Sequence, residues 1–98
     1  MVTSQLLVGP TTGAVLGDAI RLESGVYGLY CHGMASGDSV DVQASNASSG
    51  TFEDLYFDGK KQNFSYQSQN VVRVLGPLFI RINKPSTSGT VSVHLIHG

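Results

Sequence analysis

The chain has 98 residues, the size of a single domain with one core. Charged residues are 13% of it, and six Lys+Arg face seven Asp+Glu for a net charge of -1. That balance gives no basic surface for nucleic acid. An apolar share of 41% is too high for a solvated tail, and no run of about 18 apolar residues suits a membrane span.

The first 18 residues read as an N-terminal arm. Leu6-Leu7-Val8 and Ala14-Val15-Leu16 are short apolar clusters, interrupted by Gly9-Pro10, Thr11, Thr12, Gly13 and Gly17. Gly-Pro argues against one long element there. Two readings are open: a segment that orders on a partner, or an edge strand of the same domain. The start carries neither the basic residues nor the apolar stretch of a signal peptide.

Residues 19–98 read as the folded domain. Ala19 to Leu22 alternates and ends at Ser24-Gly25, and Val26 to His32 is Tyr-rich and ends at Gly33. After a loop, Val40, Val42 and Ala44 alternate with polar residues. Phe52 to Phe57 meets Asp58-Gly59, a tight hairpin pair with Lys60-Lys61 solvated at its tip. Phe64 and Tyr66 alternate with Ser65 and Gln67. Val71 to Leu75 stops at Gly76-Pro77, then Leu78, Ile80 and Ile82 alternate, and Val91, Val93 and Leu95 close the series. About eight short strands with turn signals between them predict an all-β fold. The expected form is a compact antiparallel β-sandwich, jelly-roll or immunoglobulin-like, with an N-terminal arm. Period-2 alternation puts Ile20, Leu22, Leu29, Val40, Val42, Leu55, Phe57, Val72, Ile80, Ile82, Val91, Val93 and Leu95 in the core.

Chemistry-bearing patterns are sparse. Cys31, the one cysteine, allows no intrachain disulfide and reads as a buried structural thiol. His94 and His97 are three apart, so a regular strand places them on opposite faces, a poor start for zinc. Glu53, Asp54 and Asp58 lack calcium-loop spacing and read as solvated edge and turn residues. Gly33-Met34-Ala35-Ser36-Gly37 holds its serine one place late for a nucleophile elbow. No cofactor, metal or catalytic site is expected. Binding is the remaining chemistry. Tyr56, Phe64 and Tyr66 offer a stacking platform for sugars, and Phe79 and Ile96 interrupt otherwise polar strand faces. Leu6, Leu7, Val8, Val15, Leu16, Tyr56, Phe64, Tyr66 and Phe79 are therefore the candidate partner-binding residues.

Gly25-Val26-Tyr27-Gly28-Leu29-Tyr30 precedes Gly37-Asp38-Ser39-Val40-Asp41-Val42-Gln43; Phe52-Glu53-Asp54-Leu55 and Asp58-Gly59 follow. Gly76-Pro77-Leu78-Phe79-Ile80-Arg81-Ile82 and Thr90-Val91-Ser92-Val93-His94-Leu95 complete the pattern. From Gly25 to Ile96 this resembles the small β-sandwich virion proteins of tailed bacteriophages, although it lacks their Trp before the Asp-Gly turn. The resemblance implies a capsid decoration or cement protein, commonly a trimer, that binds the major capsid protein or another virion protein on the capsid surface. No enzymatic role is expected because no site motif is present, and the charge balance and short apolar runs give no expectation of nucleic acid or a membrane. The alternative expectation is a carbohydrate-binding or adhesion module on a head or tail appendage.

Overall fold

The computed structural model describes residues 3–47 and 49–97, without the side chains of Thr3, Phe57 and His97. In chain order its strands are β1 (Thr3–Thr11), β2 (Val15–Leu16), β3 (Ile20–His32), β4 (Ser39–Ser45) and β5 (Glu53–Asp54). They continue as β6 (Tyr56–Phe57), β7 (Lys60–Lys61), β8 (Asn63–Ser65), β9 (Val71–Lys84) and β10 (Val91–His97). No helix occurs among the described residues. Eight strands join in one antiparallel sheet, ordered β1-β10-β3-β9-β4-β5, with β2 on β9 and β8 on β4. The expected class holds: all-β, antiparallel and compact. Jelly-roll and immunoglobulin topologies divide their strands between two sheets; here hydrogen bonding is continuous across all eight.

Two long strands make that continuity. The expected runs Ala19–Leu22 and Val26–His32 are one strand, β3, and the runs on either side of Gly76-Pro77 are one strand, β9. Gly76-Pro77 is thus a bend inside a strand, where a stop was expected. The pairing shows why. Leu22 faces Leu78 and Gly25 faces Gly76, with a register shift in β3 between them. Pro77 lies opposite that bulge, where its missing N–H costs no ladder bond. The Tyr27 hydroxyl accepts the Glu23 N–H at 3.1 Å inside the same bulge. Gly76 is needed for room: a Cβ there would collide with the Glu23 carbonyl.

The bend divides the sheet into a first half (β1, β10, the C-terminal part of β3, the start of β9) and a second (β2, the N-terminal part of β3, β4, β5, β8, the rest of β9). Their inner faces share one cluster, from Val8, Leu29 and Val93 to Val42, Phe64 and Ile82. The sheet therefore folds over its own core. Ten of the thirteen expected core residues are buried there, and Ile20 and Leu55 pack half-buried against it. Phe57, also expected in the core, has its side chain outside the described part.

Of the two readings open for the N-terminal residues, the described ones take the edge strand. Thr3–Thr11 is an edge strand paired with β10, and Val15–Leu16 pairs with Lys84 and Asn83. Val8 is 3% exposed. Gly9-Pro10 does not prevent a long strand, because Gly9 takes φ +76° where the β1–β10 register shifts between Val8 and Thr11. Residues 3–18 are thus part of the domain, and burial of Val8 is the reason they stay on it.

One end of the fold is closed by two buried charges. Asp38 accepts the Ala35 and Gly89 N–H groups on Oδ2 at 2.8 and 2.9 Å, and the Ser88 N–H on Oδ1 at 2.9 Å. Lys84 is 1% exposed, and its Nζ donates to the Gly13 carbonyl at 2.6 Å and the Pro85 carbonyl at 3.2 Å. Three loops are pinned together in this way.

Candidate docking surface

The outer faces of the two halves differ in kind. On the second half, polar residues satisfy one another. Arg81 donates to Gln43 Oε1 at 2.7 Å and its guanidinium lies 4.5 Å from the Phe52 ring centroid. Gln43 donates to Asp54, and Lys61 Nζ reaches Asp41 at 3.2 Å and Asp54 at 3.4 Å. The hydrogen bond to Asp41 holds the Lys61 ammonium above the ordinary lysine range. Two expectations change here. Lys61 stays partly exposed but is paired with two carboxylates, and Asp54, carried beside β4 by β5, is a partner in the network. The hairpin itself forms as expected, with Asp58 and Gly59 at φ +54° and +78°.

The first half carries an apolar outer face. Antiparallel register aligns its side chains in rows across four strands. Leu6, His94, Tyr30 and Val71 form one row, and Ser4, Ile96, Gly28 and Arg73 the next. Val26 and Leu75 pair beyond them. Leu6, Val26, Val71, Leu75 and Ile96 are 38–58% exposed. Gly28 leaves a shallow notch in the middle, bordered by Val26, Tyr30, Val71 and Ile96. These rows contain no carboxylate, and Arg73 has no ion-pair partner among the described residues. Beside this face, the bend of β9 and the β6–β7 ribbon enclose a groove of about 580 Å³ lined by Val26, Leu55, Tyr56, Gln62, Arg73, Val74, Leu75 and Leu78.

The expected binding residues are scattered by the fold. Leu6 belongs to the apolar face and Tyr56 to the groove. Leu16 and Tyr66 are exposed elsewhere, while Leu7 and Val15 pack half-buried against the core. Phe79 is half-buried, on the second half's outer face, with the Arg21 guanidinium 6.0 Å from its ring centroid. Two are corrected outright. Val8 and Phe64 face the interior, at 3% and 0% exposure, and neither can touch a partner. Without Phe64 the sugar platform of Tyr56, Phe64 and Tyr66 loses its central ring. Val26, Val71, Arg73 and Leu75 were missed. Single strands read correctly as one wet and one dry face, but only long-range register shows the wet faces of β3, β9 and β10 to be apolar side by side.

Cys31 is buried as expected, and desolvation pushes its thiol up to about 11. Among the described residues no three His, Cys, Asp or Glu side chains are grouped to hold a metal ion. Comparisons with family models, curated proteins and solved structures gave no match.

Proposed function

We propose that the protein is a structural component of a virion, a capsid decoration or cement protein that docks on the shell through the outer face of its first half. The observation that carries this reading is the contrast between the two outer faces: one is knitted into a polar network, the other leaves five large apolar side chains in water. Contiguous apolar patches of this kind mark interaction sites on small domains. The sequence resemblance supplies the kind of partner, a coat subunit, and the localisation, the capsid surface. The docking residues are Leu6, Val71 and Ile96, with Gly28 as the notch that admits a side chain of the shell. Leu6 replaces the free arm expected from sequence as the N-terminal contribution. Many copies on a repeating shell make a weak single contact sufficient through avidity.

The test is co-sedimentation with purified virions of the source, or with shells stripped of small accessory proteins. The wild-type chain pellets with the particle, and a Val71→Asp, Ile96→Asp variant that keeps its melting temperature stays in the supernatant. A variant that pellets like wild type overturns the face, and a wild-type chain that never sediments with a virion overturns the role.

A further inference from the structure

Two exposed features at different places on this fold are chemically complementary. The first is the groove beside the bend. Val26, Leu75, Leu78 and Tyr56 give it apolar walls, and Arg73 stands at it with no ion-pair partner among the described residues. The second is the link between β2 and β3. Leu16 is 59% exposed, and Asp18, two residues on, is exposed and likewise without an ion-pair partner among the described residues. Gly17 between them is fixed to the sheet by its N–H bond to the Ile82 carbonyl at 2.8 Å, so this apolar-acidic knob is held in place.

Among the large apolar residues exposed in the described structure, Leu6, Val26, Tyr56, Val71, Leu75 and Ile96 belong to the apolar face or the groove. Leu16 and Tyr66 remain, and only Leu16 has a carboxylate within two residues. Nor can the knob fill its own groove. Pairing fixes Leu16 opposite Asn83, five residues along β9 from Leu78, the groove's nearest wall on that strand, or on the order of 16 Å of strand.

We infer that a second copy of the chain occupies the groove: Leu16 of one molecule enters between Val26, Leu75 and Tyr56 of the next, and Asp18 pairs with Arg73. The two contact patches are different surfaces, so the association is head-to-tail and builds a ring or a chain of copies. Removing Leu16 from water drives the contact, and the ion pair sets its direction. The groove shares Val26, Leu75 and Arg73 with the outer face, while shell docking rests on Leu6, Val71 and Ile96, so different substitutions test the two contacts.

Sedimentation equilibrium of the purified chain, from micromolar to millimolar concentration, tests it. The wild type associates. Arg73→Asp and Asp18→Arg each weaken association at least tenfold, and the double charge swap restores it at low salt. Leu16→Ser weakens association at every salt concentration. Melting curves confirm that the variants fold, as expected for substitutions at exposed positions. A wild-type chain that stays monomeric throughout overturns the inference. So do single charge variants that associate like wild type, or a double swap that rescues nothing; association lost to Val71→Asp but not to Arg73→Asp would place the contact on the apolar face instead.

Discussion

Asp38 Oδ2 accepts the backbone N–H of Gly89 at 2.9 Å, joining the loop after β3 to the loop before β10 across 51 residues of chain. Hydrogen bonds from Ala35, Ser88 and Gly89 hold its carboxyl below the usual carboxylate range. A carboxylate with a depressed folded pKa gives stability that is present above its unfolded pKa of about 3.9 and is lost as pH falls through the folded value. The melting temperature therefore drops in acid below about pH 4. Asp38→Asn lowers it at pH 7 and flattens the acid limb, which thermal unfolding from pH 2 to 7 measures.

Lys84 presents the opposite charge at the same end of the fold. Replacing it with Met keeps most of the volume but removes the donors to Gly13 and Pro85. Gly13 and Pro85 are exposed, so their carbonyls can turn to water, and the loss is that of hydrogen bonds to a charged group, about 1.5–3 kcal/mol. Urea denaturation of Lys84→Met should show a midpoint reduced accordingly with an unchanged slope.

Phe64 is a core residue and not a contact residue. Phe64→Ala opens a cavity where the core meets β8 and costs about 3–5 kcal/mol. Tyr66→Ala, two residues on and exposed, changes stability little. A Phe64→Ala protein as stable as the Tyr66→Ala protein would contradict the placement.

Those two aromatics show where sequence reading stops. Phe64 and Tyr66 share a parity, so alternation alone puts them on one face. The chain turns after Ser65, where Ser68 and Gln69 donate back to its carbonyl, and Tyr66 is released to solvent. Leu22, Val40 and Ile82 were legible because each belongs to a run in which apolar and polar residues alternate. Lys84 was not, since its place in the same series as Ile80 and Ile82 is contradicted by its charge; the fold resolves the conflict with two loop carbonyls. Long strands were hidden by Gly76-Pro77, whose tolerance depends on a bulge in another strand. The apolar face was hidden for a related reason. Ile96, Gly28 and Arg73 are neighbours only through pairings dozens of residues apart.

Cys31 should behave as an inert thiol. Burial keeps it protonated at neutral pH, and the thiolate is the reactive form. Labelling with a disulfide reagent at pH 8 proceeds on unfolding in denaturant and is slow in the native protein. Rapid native labelling would show that the site opens.

Removal of residues 1–11 deletes the edge strand and Val8 with it. The loss strips β10 of one neighbour and exposes the Val93 side of the core. The truncated chain should lose cooperative melting, followed by circular dichroism, where a detachable arm would leave the transition intact.

The bend shared by β3 and β9 also decides how the molecule carries load. Each strand runs through both halves of the sheet, so the halves cannot be peeled apart like two plates. Tension applied at one half passes along continuous backbone into the other and meets rows of hydrogen bonds in shear. A single unfolding event under force, without a half-open intermediate, is the mechanical signature of that wiring.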